Sequence, residues 1–189
     1  SFAVAVFAPS ARRGWVMAGV AYAGALLLAP VFLRADASLG FHAIVFLFGV
    51  VWATDILGYF VGRAIGGPKL APAISPGKTW SGAFGGLVGA VAVAYFGARY
   101  LGSAASPVPL VVLAVLLSIV AQCGDLLESW IKRRFDAKDA SRIIPGHGGV
   151  MDRLDGFWAA AIVAAVIGVA RGFVAGARAG LTAERVRVV

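Results

Sequence analysis

The sequence predicts an all-α fold, a polytopic transmembrane helix bundle of about five to six spans. Three observations carry this reading. Of 189 residues, 60% are hydrophobic and only 14% charged. The mean hydropathy is +0.88. Long apolar runs alternate with short polar ones along the whole chain, the profile of an integral membrane protein.

A span needs about 20 mostly apolar residues, at about 1.5 Å each, to cross a hydrocarbon core about 30 Å thick. Five windows satisfy this: residues 15–33, 39–61, 82–100, 109–131 and 156–174. Residues 1–8 resemble the end of an earlier span. Each window is expected to be helical, because lipid leaves backbone N–H and C=O groups no other partner. The glycine-rich and leucine-rich runs also lack the alternation of a membrane barrel. The chain enters its first apolar run directly at Ser1, with no basic region before it, unlike a signal peptide.

The net charge is +8, from 17 Lys and Arg against 9 Asp and Glu. Most of the basic residues sit between apolar runs, so anionic membrane lipids or phosphate-bearing substrates are the expected partners, and nucleic acid is not. The connections at 9–14, 62–81 and 132–155 hold two, three and six Lys/Arg, against one each at 34–38 and 99–108. The positive-inside tendency therefore puts the first set in the cytoplasm. Arg171, Arg178, Arg185 and Arg187 conflict with it, since a full last span would leave them outside. In the third window Gly82/Gly86 and Gly85/Gly89 stand four apart, which lets another helix approach closely. Trp15, Trp52, Trp80, Trp130 and Trp158 mostly fall near span ends and read as interfacial anchors. The single cysteine, Cys123, is expected to be a small buried hydrophobe. His42, inside the second window, is expected to be packed or lipid-facing.

Charged residues concentrate at two places. Asp125, Glu128, Ser129 and Lys132 lie at i, i+3, i+4 and i+7, hence on one face where the fourth span ends. Alone, that stripe reads as an ordinary amphipathic helix end. Asp152 and Asp155 repeat the i, i+3 spacing at the start of the fifth span, so three carboxylates can converge between neighbouring helix ends. Carboxylates near hydrocarbon cost several kcal/mol each and need a counter-charge; for oxygen-only ligands that is a hard divalent cation, with Mg²⁺ the natural candidate. No Cys/His spacing of zinc type is present. Between these helix ends, Lys132, Arg133, Arg134, Lys138 and Arg142 precede Pro145-Gly146-His147-Gly148-Gly149. A tight glycine turn beside clustered cations suits a phosphate site. A basic loop by itself would read as headgroup attraction. His147 can position a phosphate or shuttle a proton.

The second cluster starts inside the second window, where Asp55, Tyr59, Gly62, Arg63 and Gly66 share a helical face. An intramembrane acid is a functional hypothesis, with an ion pair to Arg63 as the structural alternative. In "ISPGKTWSG" (74–82), Pro76 and Gly77 break the helix, Lys78 and Thr79 offer a cation and a hydroxyl, and Ser75 or Ser81 can cap. Gly-Lys-Thr is reminiscent of a P-loop. That reading is rejected because the preceding glycine and strand are expected to be absent.

"SWIKRRFDAKDASRIIPGHGGVMDRLD" (129–155) resembles the signature of phosphatidate cytidylyltransferases, also called CDP-diacylglycerol synthases: S-x-x-K-R, then K-D, then P-G-H-G-G-x-x-D-R-x-D. "QCGDLLES" (122–129), "DILGYFVGRAIG" and "SPGKTWSG" resemble the segments before it. Ser81 stands where many relatives carry glutamate, and Gly156 where serine is usual. The resemblance implies transfer of a cytidylyl group from CTP to phosphatidic acid, giving CDP-diacylglycerol and pyrophosphate. It implies Mg²⁺ held by Asp125, Asp152 and Asp155, with a monovalent cation such as K⁺ as a second expectation. Lys138, Asp139 and His147 join these acids as candidate catalytic residues. Asp55, Tyr59, Arg63, Ser75, Lys78, Thr79, Glu128, Ser129, Lys132, Arg133, Arg142, Gly148, Gly149 and Arg153 are candidates for binding substrate. The implied chain is a single catalytic transmembrane domain over 1–189, lacking N-terminal spans of the native protein. It would sit in a bacterial inner membrane with its site facing the cytoplasm, and a homodimer is an open expectation. The alternatives are a CTP-dependent enzyme on another lipid (an ether-lipid cytidylyltransferase or a polyprenol kinase) and a transporter. The unbroken K-D to D-R-x-D run favours the cytidylyltransferase, and the inverted hydropathy repeats of a transporter are not found.

Overall fold

The computed structural model describes residues 10–37, 39–100, 106–135, 154 and 156–172. Four helices have the length and apolarity of membrane spans: α1 (Ser10–Ala35), α2 (Gly40–Ile65), α3 (Trp80–Tyr100) and α4 (Val108–Arg134). A shorter apolar helix, α5 (Gly156–Gly172), follows. The helices match the predicted windows to within a few residues at each end, and the protein is an integral membrane bundle.

The centre is built from small and branched apolar side chains, among them Leu47, Val50 and Val51 of α2, Ala90 and Ala94 of α3, Ala114, Leu117 and Ala121 of α4, and Phe157, Ala160 and Ala161 of α5. Phe157 stacks on Phe48 of α2, with ring centroids 4.3 Å apart. Large apolar side chains such as Leu27, Val31, Phe32, Phe84, Phe96 and Val112 point outward instead, as expected where the surrounding solvent is hydrocarbon. Cys123 is exposed as well, contrary to the expected burial. It stands next to the cleft-lining Gln122, on a part of α4 that turns to the outside rather than to the core.

The four-apart glycines of α3 form the α2–α3 contact. A Cβ on Gly82 would come within 2.6 Å of the Gly58 carbonyl oxygen, one on Gly86 within 2.9 Å of the Thr54 carbonyl oxygen, and one on Gly89 within 2.8 Å of the Ala53 carbonyl oxygen. Backbone therefore meets backbone along this antiparallel pair, the close approach that small residues allow in membranes.

Between α2 and α3 the chain departs from the all-helical expectation. Gly66 and Gly67 take positive φ, 68° and 100°, a conformation natural to glycine. They turn the backbone out of α2 into an antiparallel hairpin of β1 (Lys69–Ala71) and β2 (Ser75–Thr79). The turn closes through Ile74 N–H to the Ala71 carbonyl, 3.1 Å, and the base through Trp80 N–H to the Pro68 carbonyl, 3.1 Å. The register shifts between Lys69↔Thr79 and Ala71↔Ser75. Pro76 within β2 has no N–H to donate, so it belongs on a short, irregular edge of this kind. A strand thus does lead into a helix at Gly77-Lys78-Thr79, correcting half of the argument against a P-loop. The other half stands, because no glycine occupies the position five before Gly77.

Trp15 at the start of α1 lies 6.4 Å from Trp130 and 5.3 Å from Phe135, ring centre to ring centre. Lys78 meets Asp125. The first turns of α1, the hairpin and the last turns of α4 therefore gather at one end of the bundle. Trp52 is the outlier among the tryptophans: it sits midway along α2, outward-facing, against Phe48 at 5.5 Å.

Candidate functional site

At the hairpin end a cleft of about 710 Å³ opens between α2, the hairpin, α3 and α4. Helix α2 contributes Asp55, Tyr59 and Arg63, spaced so that all three fall on the face turned to the cleft. The hairpin contributes Lys69, Lys78 and Thr79, and α4 contributes Gln122 and Asp125. Glycines 58, 62, 66, 67, 77 and 82 line much of the remainder, so the walls present backbone at close range and leave room for a bulky polar ligand.

Electrostatics organise these side chains. Lys78 is ion-paired with Asp125, both only partly exposed. Asp55 lies within the electrostatic reach of both groups. Ser129, one turn beyond Asp125, donates to its Oδ1 at 3.4 Å. Arg63 does not pair with Asp55 in the manner considered from sequence; its Nη1 donates to Tyr59 Oη at 3.1 Å. An i, i+4 hydrogen bond along the helix surface is the shorter reach, and it leaves Asp55 open to the cleft.

Thr79 has a structural task in addition. Its hydroxyl accepts the Gly82 N–H at 3.2 Å, the N-cap bond that satisfies one of the donors left over at a helix start. The sequence offered Ser75 or Ser81 for this role. Ser81 instead donates to the Gly66 carbonyl and lies 3.0 Å from Thr79 Oγ1, tying the first turn of α3 to the end of α2. Ser75 stands opposite Ala71 in the hairpin and does not line the cleft. Glu128 and Lys132 pair with each other along α4 at 3.4 Å, and Arg133 is exposed at its end; these three also stand outside the cleft lining. Lys138, Asp139, Arg142, His147, Gly148, Gly149, Asp152, Arg153 and Asp155 lie outside the described residues. Gly156 does not. A Cβ there would approach the Ala121 carbonyl oxygen to 3.1 Å, so a side chain at this position would crowd α4 one turn before Asp125.

Sequence reasoning missed a polar layer at the floor of the cleft, where Thr54 and Gln122 are themselves lining residues. Thr54 hydrogen-bonds Ser118 of α4 at 2.8 Å and the Val50 carbonyl at 2.8 Å. Gln122 Nε2 donates to Ser118 Oγ and to the Ala83 carbonyl of α3, each at 3.4 Å. The available signal was a hydroxyl or amide inside an otherwise apolar span. Asp55 and Asp125, as neighbouring charges, overshadowed it.

The donors facing the cleft are carboxylates, hydroxyls, an amide and backbone. None of the cleft-lining residues is a cysteine or histidine, and among the described residues no three His, Cys, Asp or Glu side chains gather closely. Asp125 thus fits a hard cation such as Mg²⁺ in chemistry, and one carboxylate would leave the rest of its ligands to other oxygens.

Fold and site together define a polytopic membrane protein with a charged cleft at one end of its helix bundle. The chain belongs to the cytidylyltransferase family, whose model matches residues 4–170. It is 57% identical over 157 residues to the phosphatidate cytidylyltransferase of Brucella abortus, covering 82% of this chain and 57% of that protein. It is 41% identical over 142 residues to that of Haemophilus influenzae, covering 73% and 49%. It is 41% identical over 138 residues to that of Staphylococcus saprophyticus, covering 73% and 52%. The chain spans about half the length of these relatives.

Proposed function

We propose that the protein transfers the cytidylyl group of CTP to phosphatidic acid, releasing pyrophosphate and leaving CDP-diacylglycerol in the bilayer. The observation that carries the reading is the Lys78–Asp125–Asp55 cluster, set in a cleft at the end of a span bundle, in a chain whose relatives are named for this activity. One substrate is water-soluble and the other is dissolved in lipid, so a polar cleft reaching into the membrane boundary suits both. The family's bacterial relatives and the gathering of the basic connections at one end support a site on the cytoplasmic face of an inner membrane.

In this reading a phosphatidate oxygen attacks the α-phosphorus of CTP. A new P–O bond forms there as the bond to the β-phosphate breaks. Lys78 and Lys69 face the phosphates from the hairpin, and Arg63, held by Tyr59, adds a planar donor suited to phosphate oxygens. Arg133 is exposed at the end of α4 beyond the cleft, and Lys132, Lys138 and Arg142 are further candidates for holding phosphate oxygens. Asp125, with Asp152 and Asp155, is the set that would hold Mg²⁺, and the contact of Gly156 with Ala121 supports this by bringing the start of α5 beside α4 one turn before Asp125. Bound there, the ion would neutralise charge on the triphosphate and the departing pyrophosphate. A monovalent cation beside it and assembly into a homodimer belong to the same proposal.

The test is to incubate the protein in detergent micelles with labelled CTP and phosphatidate, with and without Mg²⁺. CDP-diacylglycerol and pyrophosphate, formed only with the divalent ion, are the expected products. A phosphorylated polyprenol, or no nucleotide-bearing lipid at all, would overturn the reading.

A further inference from the structure

Thr54 and Ser118 are polar groups in the most apolar part of the molecule. Thr54 is 2% and Ser118 0% exposed, and both lie among Val50, Leu117 and Ala121. Apolar packing alone does not call for them there, since alanine and valine fill the neighbouring core positions. Their place in the sequence is informative. Thr54 immediately precedes Asp55, and Ser118 and Gln122 occupy the two turns of α4 before Asp125. The hydrogen bonds they make run from α2 to α4 (Thr54–Ser118), along α4 (Gln122–Ser118) and from α4 to α3 (Gln122–Ala83).

We infer that Thr54, Ser118 and Gln122 are positioning residues that set the separation and rotation of α2 and α4, and through them the spacing of the Asp55 and Asp125 carboxylates across the cleft. The inference rests on the function proposed above for that cleft. The physical reason lies in the difference between two kinds of contact. Apolar surfaces in lipid tolerate sliding and rotation, because hydrocarbon is as good a neighbour as leucine. A hydrogen bond keeps its strength only over a few tenths of an ångström and a limited angle. The α2–α3 pair is already locked by its glycines. The described glycine contacts include no equivalent lock between α2 and α4, and the Thr54–Ser118 bond supplies one directly beneath the acids. Gln122 then ties α4 to the α3 backbone, so the three walls of the cleft share a single polar layer.

The test removes hydroxyls while keeping shape. Thr54→Val and Ser118→Ala are compared with wild type and with Thr54→Ser, which restores the hydroxyl. For wild type and Thr54→Ser the expected result is similar turnover. For Thr54→Val and Ser118→Ala, kcat should fall on the order of tenfold or more, as expected when reacting groups are displaced by a fraction of an ångström to an ångström, with KM for CTP little changed. Mn²⁺ affinity, measured by electron paramagnetic resonance without substrate, should weaken in parallel. A third readout is independent of activity: spin labels on the native Cys123 and on Ile56→Cys, both outward-facing, report the α2–α4 distance. That distribution should broaden or shift in Thr54→Val. Unchanged distance and unchanged Mn²⁺ affinity in Thr54→Val would overturn the inference, as would equal losses in Thr54→Val and Thr54→Ser. A wild-type protein that makes no CDP-lipid would sink the proposed reaction, while the distance measurement would still decide this one.

Discussion

Replacing Gly82 with alanine should destabilise the protein although alanine is the better helix former. The added Cβ would sit 2.6 Å from the Gly58 carbonyl oxygen and 3.2 Å from the Gly62 Cα. Ordinary contact begins near 3.4 Å, so α2 and α3 must separate by about 0.8 Å. The Gly58 and Gly62 atoms are backbone, and although Thr79 Oγ1 also lies at 3.2 Å, moving that side chain would not relieve the contact with the Gly58 carbonyl. Overpacking of this kind costs about 1–3 kcal/mol, and the gain in helix propensity offsets up to about 1 kcal/mol. With the full offset the net expectation is a loss of up to about 2 kcal/mol, or up to about 30-fold in the folded-to-unfolded ratio. Gly97→Ala is the control, since a Cβ there meets nothing within 4 Å; it should be neutral or mildly stabilising. Unfolding in mixed micelles, followed by circular dichroism against increasing dodecyl sulfate, measures both variants. Equal midpoints for Gly82→Ala and wild type would refute the claim that backbone contact between α2 and α3 holds this part of the bundle.

Two further outcomes bear on the cleft. Lys78→Met should destabilise the fold by leaving Asp125 without its counter-charge, and adding Asp125→Asn should recover part of the loss; the coupling in this double-mutant cycle is expected at about 0.5–3 kcal/mol, and strictly additive effects would argue against the pair. Asp152→Asn and Asp155→Asn should each abolish Mg²⁺-dependent formation of CDP-lipid while leaving the helical circular dichroism intact, and wild-type turnover in both would dismiss those acids as metal ligands.

The spans were legible in the residues because membrane burial demands a simple signal: enough consecutive apolar positions to cross hydrocarbon, interrupted by charges that stay outside. The glycine spacing of α3 was legible for a similar reason, since only a missing side chain permits carbonyl oxygens as near as those of Gly58 and Ala53. The hairpin was not. Its strands are three and five residues long, they lack alternation, and Pro72, Pro76 and Gly77 argue against strand, so local pattern pointed to a loop. Its formation depends on α2 ending at two positive-φ glycines and on α3 starting with a threonine cap. Cys123 was misjudged because an apolar neighbourhood in sequence does not say which side of a helix meets lipid.

Composition and spacing alone determined that the chain crosses a membrane several times and carries acids, cations and glycines in two clusters about 70 residues apart, from Asp55 to Asp125. Tertiary structure decided that those clusters share one cleft: Lys78 leaves the hairpin to meet Asp125 on α4 rather than Asp55 of α2, which is closer only along the sequence. It also decided that Arg63 turns to Tyr59, and that Thr54 and Ser118 join beneath the site. Helical periodicity fixes which residues share a face, whereas the pairing of faces depends on contacts between segments far apart in the chain, which local spacing does not encode.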